Sequence, residues 1–181
     1  MPRYAAFLRA INVGGHVVTM ERLRGIFEAA GFTEVRTLLA SGNVVFEAGA
    51  RAGAAGLEAK IAAALKEALG YEVATFIRTP AELSAIAAAR PFPARALAAP
   101  GARLFVGFLP KPLGATAKKT VLGMGSDVDD LVVIGREIYW LCRLPMVEAE
   151  FSPARLEKEL RIPATFRNVN TVRKVEAAAA R

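Results

Sequence analysis

Arginine, asparagine, serine and glycine gather at three places in this chain: Arg9-Ala10-Ile11-Asn12-Val13-Gly14-Gly15, Ser41-Gly42-Asn43 and Arg167-Asn168-Val169-Asn170-Thr171. Guanidinium, amide, hydroxyl and open backbone N–H groups hold an anion or an amide-like group, but they offer little that moves a proton near neutral pH. No carboxylate or imidazole is built into the recurring pattern. The chemistry indicated is recognition of a phosphate- or carboxylate-bearing ligand. The candidate binding residues are Arg9, Asn12, Gly14, Gly15, Ser41, Asn43, Arg167, Asn168 and Asn170.

Each cluster also has a purely structural reading. Gly14-Gly15 falls between an expected strand and an expected helix, where outward N–H groups favour an anion, yet two glycines also make a turn with no ligand. The dinucleotide fingerprint GxGxxG and the phosphate loop GxxxxGK[ST] are both missing there. Ser41-Gly42-Asn43 reads as a hairpin turn, since Gly and Asn tolerate positive φ. Asn168 and Asn170 suit a helix N-cap, whereas Arg167 directly before a helix start suits a fork for phosphate or carboxylate. An enzyme would have to use His16, the single histidine, or Ser41, and the sequence names no base for that serine.

Stepping outward from these residues, the apolar patterning predicts the elements that carry them. Residues 4–11 read as a central strand, and Thr19 as the cap of a helix over 20–30 stopped by Gly31. Strands over 35–39 and 44–46 flank the Ser41-Gly42-Asn43 turn. A helix follows over 54–69, ended by Gly70, and then a strand over 72–78. Strand, helix, strand, strand, helix, strand is the ferredoxin-like βαββαβ order. Thr79-Pro80-Ala81-Glu82 is a capping box that opens a helix to about residue 89, and a Pro-rich link covers 90–101. A second, incomplete repeat of the order follows. Its strand lies over 104–109 and its helix over 115–122. A hairpin over 130–134 and 137–141 turns at Gly135-Arg136, a helix covers 154–160, and a last helix begins near Asn168. The expected fold is α+β, with two packed ferredoxin-like subdomains at 1–78 and 101–181 joined by a helix and linker at 79–100.

The composition bounds the remaining classes. One cysteine, Cys142, rules out an internal disulfide, and one His with one Cys rules out a Cys/His zinc site within one chain. Asp127, Asp129 and Asp130 match no calcium-loop spacing, so no metal and no cofactor is expected. No apolar run is long enough to span a bilayer, and Met1-Pro2-Arg3-Tyr4 leads straight into a strand without a signal-peptide core. A cytoplasmic protein with no membrane partner is expected. The net charge of +7 is concentrated in two stretches. Residues 101–125 carry Arg103, Lys111, Lys118 and Lys119 with no acid, and 161–181 carry Arg161, Arg167, Arg173, Lys174 and Arg181 against Glu176. If the two adjoin, they form a basic face, and nucleic acid, RNA in particular, is the alternative partner to a small anion. The aromatic RNP1 pattern of the common RNA-binding version is missing.

The three clusters also resemble the pattern of an uncharacterised bacterial family, DUF1697. Its LRxINVGG, SGNVVF and TxRNxNTV motifs correspond to residues 8–15, 41–46 and 165–172 here. Ala10 stands where glycine is usual, Ala40 where glutamine is common, and Phe166 and Val169 where Thr and Trp are common. The resemblance implies a fold of two similar α+β halves and supplies no reaction or substrate.

Overall fold

The computed structural model describes residues 1–49, 53–144 and 148–181. They divide into two compact units, Met1–Ala87 with Arg173–Arg181, and Ala88–Val172. Unit 1 contains β1 (Arg3–Leu8), α1 (Met20–Ala29), β2 (Thr33–Leu38), β3 (Asn43–Glu47), α2 (Ala54–Leu69) and β4 (Thr75–Arg78), followed by α3 (Pro80–Ala88). Unit 2 opens with the short α4 (Ala94–Leu97) and continues with β5 (Arg103–Phe108), α5 (Ala115–Leu122), β6 (Asp129–Ile134), β7 (Glu137–Cys142), α6 (Pro153–Leu160) and β8 (Thr165–Asn168). Helix α7 (Val169–Ala179) closes the chain.

Both units form a four-stranded antiparallel sheet with helices on it, in the orders β2-β3-β1-β4 and β6-β7-β5-β8. The expected α+β class with two ferredoxin-like halves is therefore present. The second half is complete rather than incomplete. Its last strand, β8, escapes sequence pattern because the two positions it buries are the polar Thr165 and Arg167, and it exists by pairing with β5.

Local signals set the helix ends. Thr19 Oγ1 accepts from the Arg22 amide at the start of α1, and Ser152 Oγ accepts from Arg155 before Pro153 opens α6. Gly70 ends α2 at φ 82°, the left-handed C-cap conformation. Thr79 and Glu82 bond reciprocally, the Thr79 amide to Glu82 Oε2 and the Glu82 amide to Thr79 Oγ1. Packing does the rest. Leu23 and Phe27 of α1 and Leu57, Ile61 and Leu65 of α2 meet Ala6, Leu8, Val44, Phe46 and Ile77 in one core. Each of the larger side chains, Val, Leu, Ile or Phe, contributes about 1.5–3 kcal/mol on burial. The unit 2 core sets Val121 and Leu156 of its helices with Ile138, Trp140 and Cys142.

The sheet faces opposite these cores are also buried. In unit 1 that face carries Ala5, Phe7, Val45 and Phe76 together with two polar side chains, Asn43 and Arg78. In unit 2 it carries Val106, Phe108, Tyr139 and Leu141 with Thr165 and Arg167. The prediction of a central first strand agrees with β1, which lies between β3 and β4 and ends at Leu8 rather than at residue 11.

Candidate functional site

The C-terminal end of β1 and the β2–β3 hairpin meet in unit 1, and they carry six of the candidate residues. The Leu8 amide donates to Gly42 O at 2.9 Å, and the Arg9 amide donates to Ala74 O at 2.9 Å. The chain then leaves the sheet through Ala10 at φ 60° and Asn12 at φ 58°, both in the left-handed region. Ala10 occupies a position where glycine would adopt that conformation without steric cost.

Asn12 fastens this loop. Its Nδ2 donates to Ala40 O at 2.8 Å, and its Oδ1 accepts from the Val18 amide at 2.5 Å. Gly14 and Gly15, at φ 62° and 87°, are the central pair of a turn closed by the His16 amide donating to Val13 O. Positive φ at both centres is the type I′ requirement, which accounts for the two glycines. They are exposed and lie ahead of the α1 start, whose cap is Thr19. The His16 ring stacks on Tyr71 at 3.9 Å between centroids.

The hairpin is equally determined. Leu39 has φ 59° and Gly42 φ 79°. A Cβ on Gly42 would stand 3.1 Å from the Cβ atoms of both Leu8 and Ile11, so this glycine is required by close approach as well as by φ. Buried Asn43 donates through Nδ2 to Leu38 O at 2.8 Å and to Ser41 Oγ at 2.9 Å. Asn12 and Asn43 thus spend amide groups on holding backbone, while Gly14, Gly15 and Ser41 face solvent and Arg9 is half-buried.

The third cluster belongs to unit 2. Arg167 lies within β8, paired with Val106, and its Nη1 donates to Thr165 Oγ1 at 2.8 Å and to Phe166 O at 2.9 Å. Burial pushes its guanidinium down to about 10. Asn168 Oδ1 accepts from the Asn170 amide at 2.9 Å, the bond of an N-cap to the helix it opens, here α7. Asn170 is exposed.

Sheet register exposes a relation that the sequence hides. Phe7 pairs with Asn43 and Phe108 with Glu137, and each partner is the first residue after its hairpin. Two residues back, Ala5 pairs with Arg78 and Val106 with Arg167. The two arginines are topological equivalents. Both are buried, and each donates to the carbonyl of its preceding residue, Arg78 to Ile77 O and Arg167 to Phe166 O. Sequence reasoning did not single out Arg78. The visible Thr-Phe pairs at 75–76 and 165–166 misalign it by one position, and only the strand pairing corrects the offset.

The acidic turn of unit 2 is internally committed. Asp129 is fully buried. Its Oδ1 accepts from Trp140 Nε1 at 2.7 Å, and its Oδ2 accepts from the Glu150 and Phe151 amides at 2.8 and 2.9 Å. Asp130 pairs with Arg143. Among the described residues, no group of three His, Cys, Asp or Glu side chains gathers as a metal site. Cys142 is buried, and burial pushes its thiol up.

The basic excess divides between the units. Each holds twelve basic residues, against nine acidic in unit 1 and eight in unit 2, giving +3 and +4. The basic stretch 101–125 lies wholly in unit 2. The stretch 161–181 is split, with Arg173, Lys174 and Arg181 in unit 1. No helix among the described residues is long and apolar enough to cross a membrane.

The family model described as a protein of unknown function, DUF1697, matches residues 1–139. The chain belongs to the DUF1697 family. The matched segment takes in the β1–α1 loop and the β2–β3 hairpin and ends before β8. A solved structure of a conserved bacterial protein from Streptococcus pneumoniae is similar to this DUF1697 chain. It has a TM-score of 0.75 and 21% identity, covering 100% of this chain and 99% of that one, a likeness of fold. No curated protein matches the chain.

Proposed function

We propose that this DUF1697 protein is a cytoplasmic binding module for a phosphate- or carboxylate-bearing ligand, and that the β1–α1 loop with the β2–β3 hairpin is its binding end in unit 1. One observation carries the reading. The same strand-to-helix connection is made twice in this chain, and only unit 1 makes it with left-handed residues.

From β5 to α5, residues 109–114 reach the next helix with no positive φ. From β1 to α1, Ala10, Asn12, Gly14 and Gly15 all have positive φ, and Leu39 and Gly42 repeat the feature in the neighbouring hairpin. Ala10 and Leu39, held in the left-handed region, cost about 1–2 kcal/mol each, and Asn12, whose side chain tolerates that region, costs less. Such strain persists where surrounding bonds over-determine it, and it concentrates at ligand clamps. The βαββαβ scaffold does not demand it at the strand-to-helix connection, because unit 2 makes that connection without it, and the unit 2 hairpin turns with a single glycine, Gly135 at φ 60°. The groups presented there suit an anion: the exposed Gly14 and Gly15 backbone, the Ser41 hydroxyl and the Arg9 guanidinium, with no carboxylate in residues 9–18 or 37–43.

The test is a titration with inorganic phosphate and with acetate, followed through the backbone amide resonances of Gly14, Gly15 and Ser41. Saturable shifts that weaken with added salt and on Arg9→Ala are expected. Unchanged resonances at millimolar anion would remove the proposal.

A further inference from the structure

His16 carries the one aromatic ring in residues 9–18, and the fold gives that ring a backing. Its imidazole lies on the Tyr71 ring at 3.9 Å between centroids and 28° between planes, a stacked pair that joins the β1–α1 loop to the connection between α2 and β4. Tyr71 packs against the unit 1 core, so the backing is fixed. His16 itself is exposed, and among the described residues its imidazole makes no hydrogen bond and stacks on no second ring. An exposed ring held from behind is a surface on which another flat π-system stacks, as single bases do on aromatic side chains, histidine included.

The residues just before His16 supply the other half of a ligand site. The Gly14 and Gly15 amides have no hydrogen-bond partner among the described residues, and a Cβ built on either glycine meets nothing within 4 Å, so the turn is open. The His16 amide closes that turn by donating to Val13 O at 3.2 Å, which fixes ring and amides within residues 13–16. Neighbouring α-carbons are about 3.8 Å apart, so an anion at Gly14 or Gly15 and a flat ring on His16 fall within the span of one nucleotide, phosphate to base. Residues 9–18 hold no carboxylate, and Glu72, next to Tyr71, is paired with Lys66 at 2.8 Å. A nucleic-acid chain is a poorer match. His16 and Tyr71 are the only rings in residues 9–18 and 70–74, and they already stack on each other, whereas a chain needs successive platforms for successive bases.

We infer that His16, backed by Tyr71, is the base-stacking subsite for a mononucleotide whose phosphate is held by the Gly14 and Gly15 amides. The inference rests on the anion-binding reading above and narrows its ligand to a nucleoside monophosphate.

His16 is the single histidine, so its ring C–H resonances identify themselves. The wild-type protein is titrated at constant pH with adenosine monophosphate, ribose phosphate and inorganic phosphate. Adenosine monophosphate should move the ring resonances upfield in a saturable way and bind about tenfold more tightly than ribose phosphate, which has the same anion and no base. His16→Ala, its fold checked by a wild-type melting curve, should bind the two equally, and His16→Phe, which keeps a stacking ring, should retain the preference. Equal affinity of the wild type for the two, ring resonances that do not move, or an undiminished preference in His16→Ala would each overturn the base subsite. A single-stranded oligoribonucleotide that binds about tenfold more tightly than adenosine monophosphate would overturn it too, by assigning the ring to a nucleic-acid chain. Inorganic phosphate separates the two readings: shifts of the Gly14 and Gly15 amides leave anion binding standing when the base subsite fails, and their absence brings down both.

Discussion

The two units share a strand order, a hairpin register and a buried arginine, and they differ in the loops at the end of the first strand. The shared features are those that close a βαββαβ unit. In each, the residue that follows the Phe7–Asn43 or Phe108–Glu137 pair donates to its hairpin turn, Leu8 to Gly42 O and Leu109 to Arg136 O. An aromatic pair sits at matching positions, Tyr4 on Phe46 at 5.9 Å and Phe105 on Trp140 at 4.8 Å. Arg78 and Arg167 recur in the same way. Duplication argues that Arg167 serves the scaffold, since a ligand site in one unit has no need of an equivalent in the other. Left-handed backbone is distributed differently. Ala10, Asn12, Glu34 and Leu39 lie in unit 1, and among the described residues of unit 2 the one non-glycine counterpart is Arg161, an ordinary helix C-cap. What is duplicated is architecture, and what is unique to one unit is the place to look for function.

The largest expected effect comes from breaking the unit 1 hairpin. Gly42→Ala adds a Cβ at 3.1 Å from Leu8 and Ile11 at a φ of 79°, and should cost about 2–4 kcal/mol in denaturant unfolding. Gly135→Ala in the unit 2 hairpin, where the nearest atom is the end of the Glu137 side chain at 3.4 Å, should cost nearer 1 kcal/mol. Equal losses would show that the two hairpins are under the same constraint.

A second substitution sharpens how one scaffold accommodates two cores. Gly107 lies beneath Phe166, whose ring would be 2.5 Å from an added Cβ, whereas the equivalent pair in unit 1 is Ala6 with Ile77. Gly107→Ala should therefore cost about 1–3 kcal/mol. Adding Phe166→Ile, which recreates the unit 1 pair, should recover part of that loss, and a double variant no more stable than the single one would refute the equivalence. Next in size is Tyr71, whose hydroxyl is buried with no hydrogen-bond partner among the described residues, beside the strained loop. Tyr71→Phe should raise stability by about 1 kcal/mol. Relief of strain should be smaller still. Ala10→Gly should gain about 0.5 kcal/mol, the left-handed cost less the added freedom of the unfolded glycine, while weakening anion binding.

The pH response of Arg167 sharpens the comparison of the two buried arginines. Its folded value, about 10, lies below the ordinary arginine value, so above that pH the unfolded chain holds the proton more firmly than the folded one. The burial cost is fully present below about 10 and is relieved as pH rises toward the unfolded value. Wild-type stability should accordingly gain on that of Arg167→Met between about pH 8 and about pH 11. A constant difference would place the buried charge elsewhere.

Much of the fold was legible along the chain. Helices α2 and α5 fall at the expected bounds, and Thr19, Thr79-Glu82 and Ser152-Pro153 cap helices as their chemistry requires. The predicted strand over 35–39 begins earlier, at Thr33, where the register shifts between Thr33 and Arg36 and Glu34 has φ 50°. The candidate site was legible as a set of residue types and not as a set of roles. Asn12 and Asn43 read as ligand groups or turn formers, and the fold employs both amides as braces between segments.

The sequence by itself determined where helices start and stop and which turns need glycine, because caps, left-handed conformations and apolar periodicity act within a few residues. Tertiary structure alone decided that Thr165–Asn168 is a strand, that Arg78 and Arg167 are equivalents, and that Asn12 reaches Ala40 across 28 residues. Those relations arise from pairing between distant segments, where the energy of a contact depends on register and burial that no local window contains.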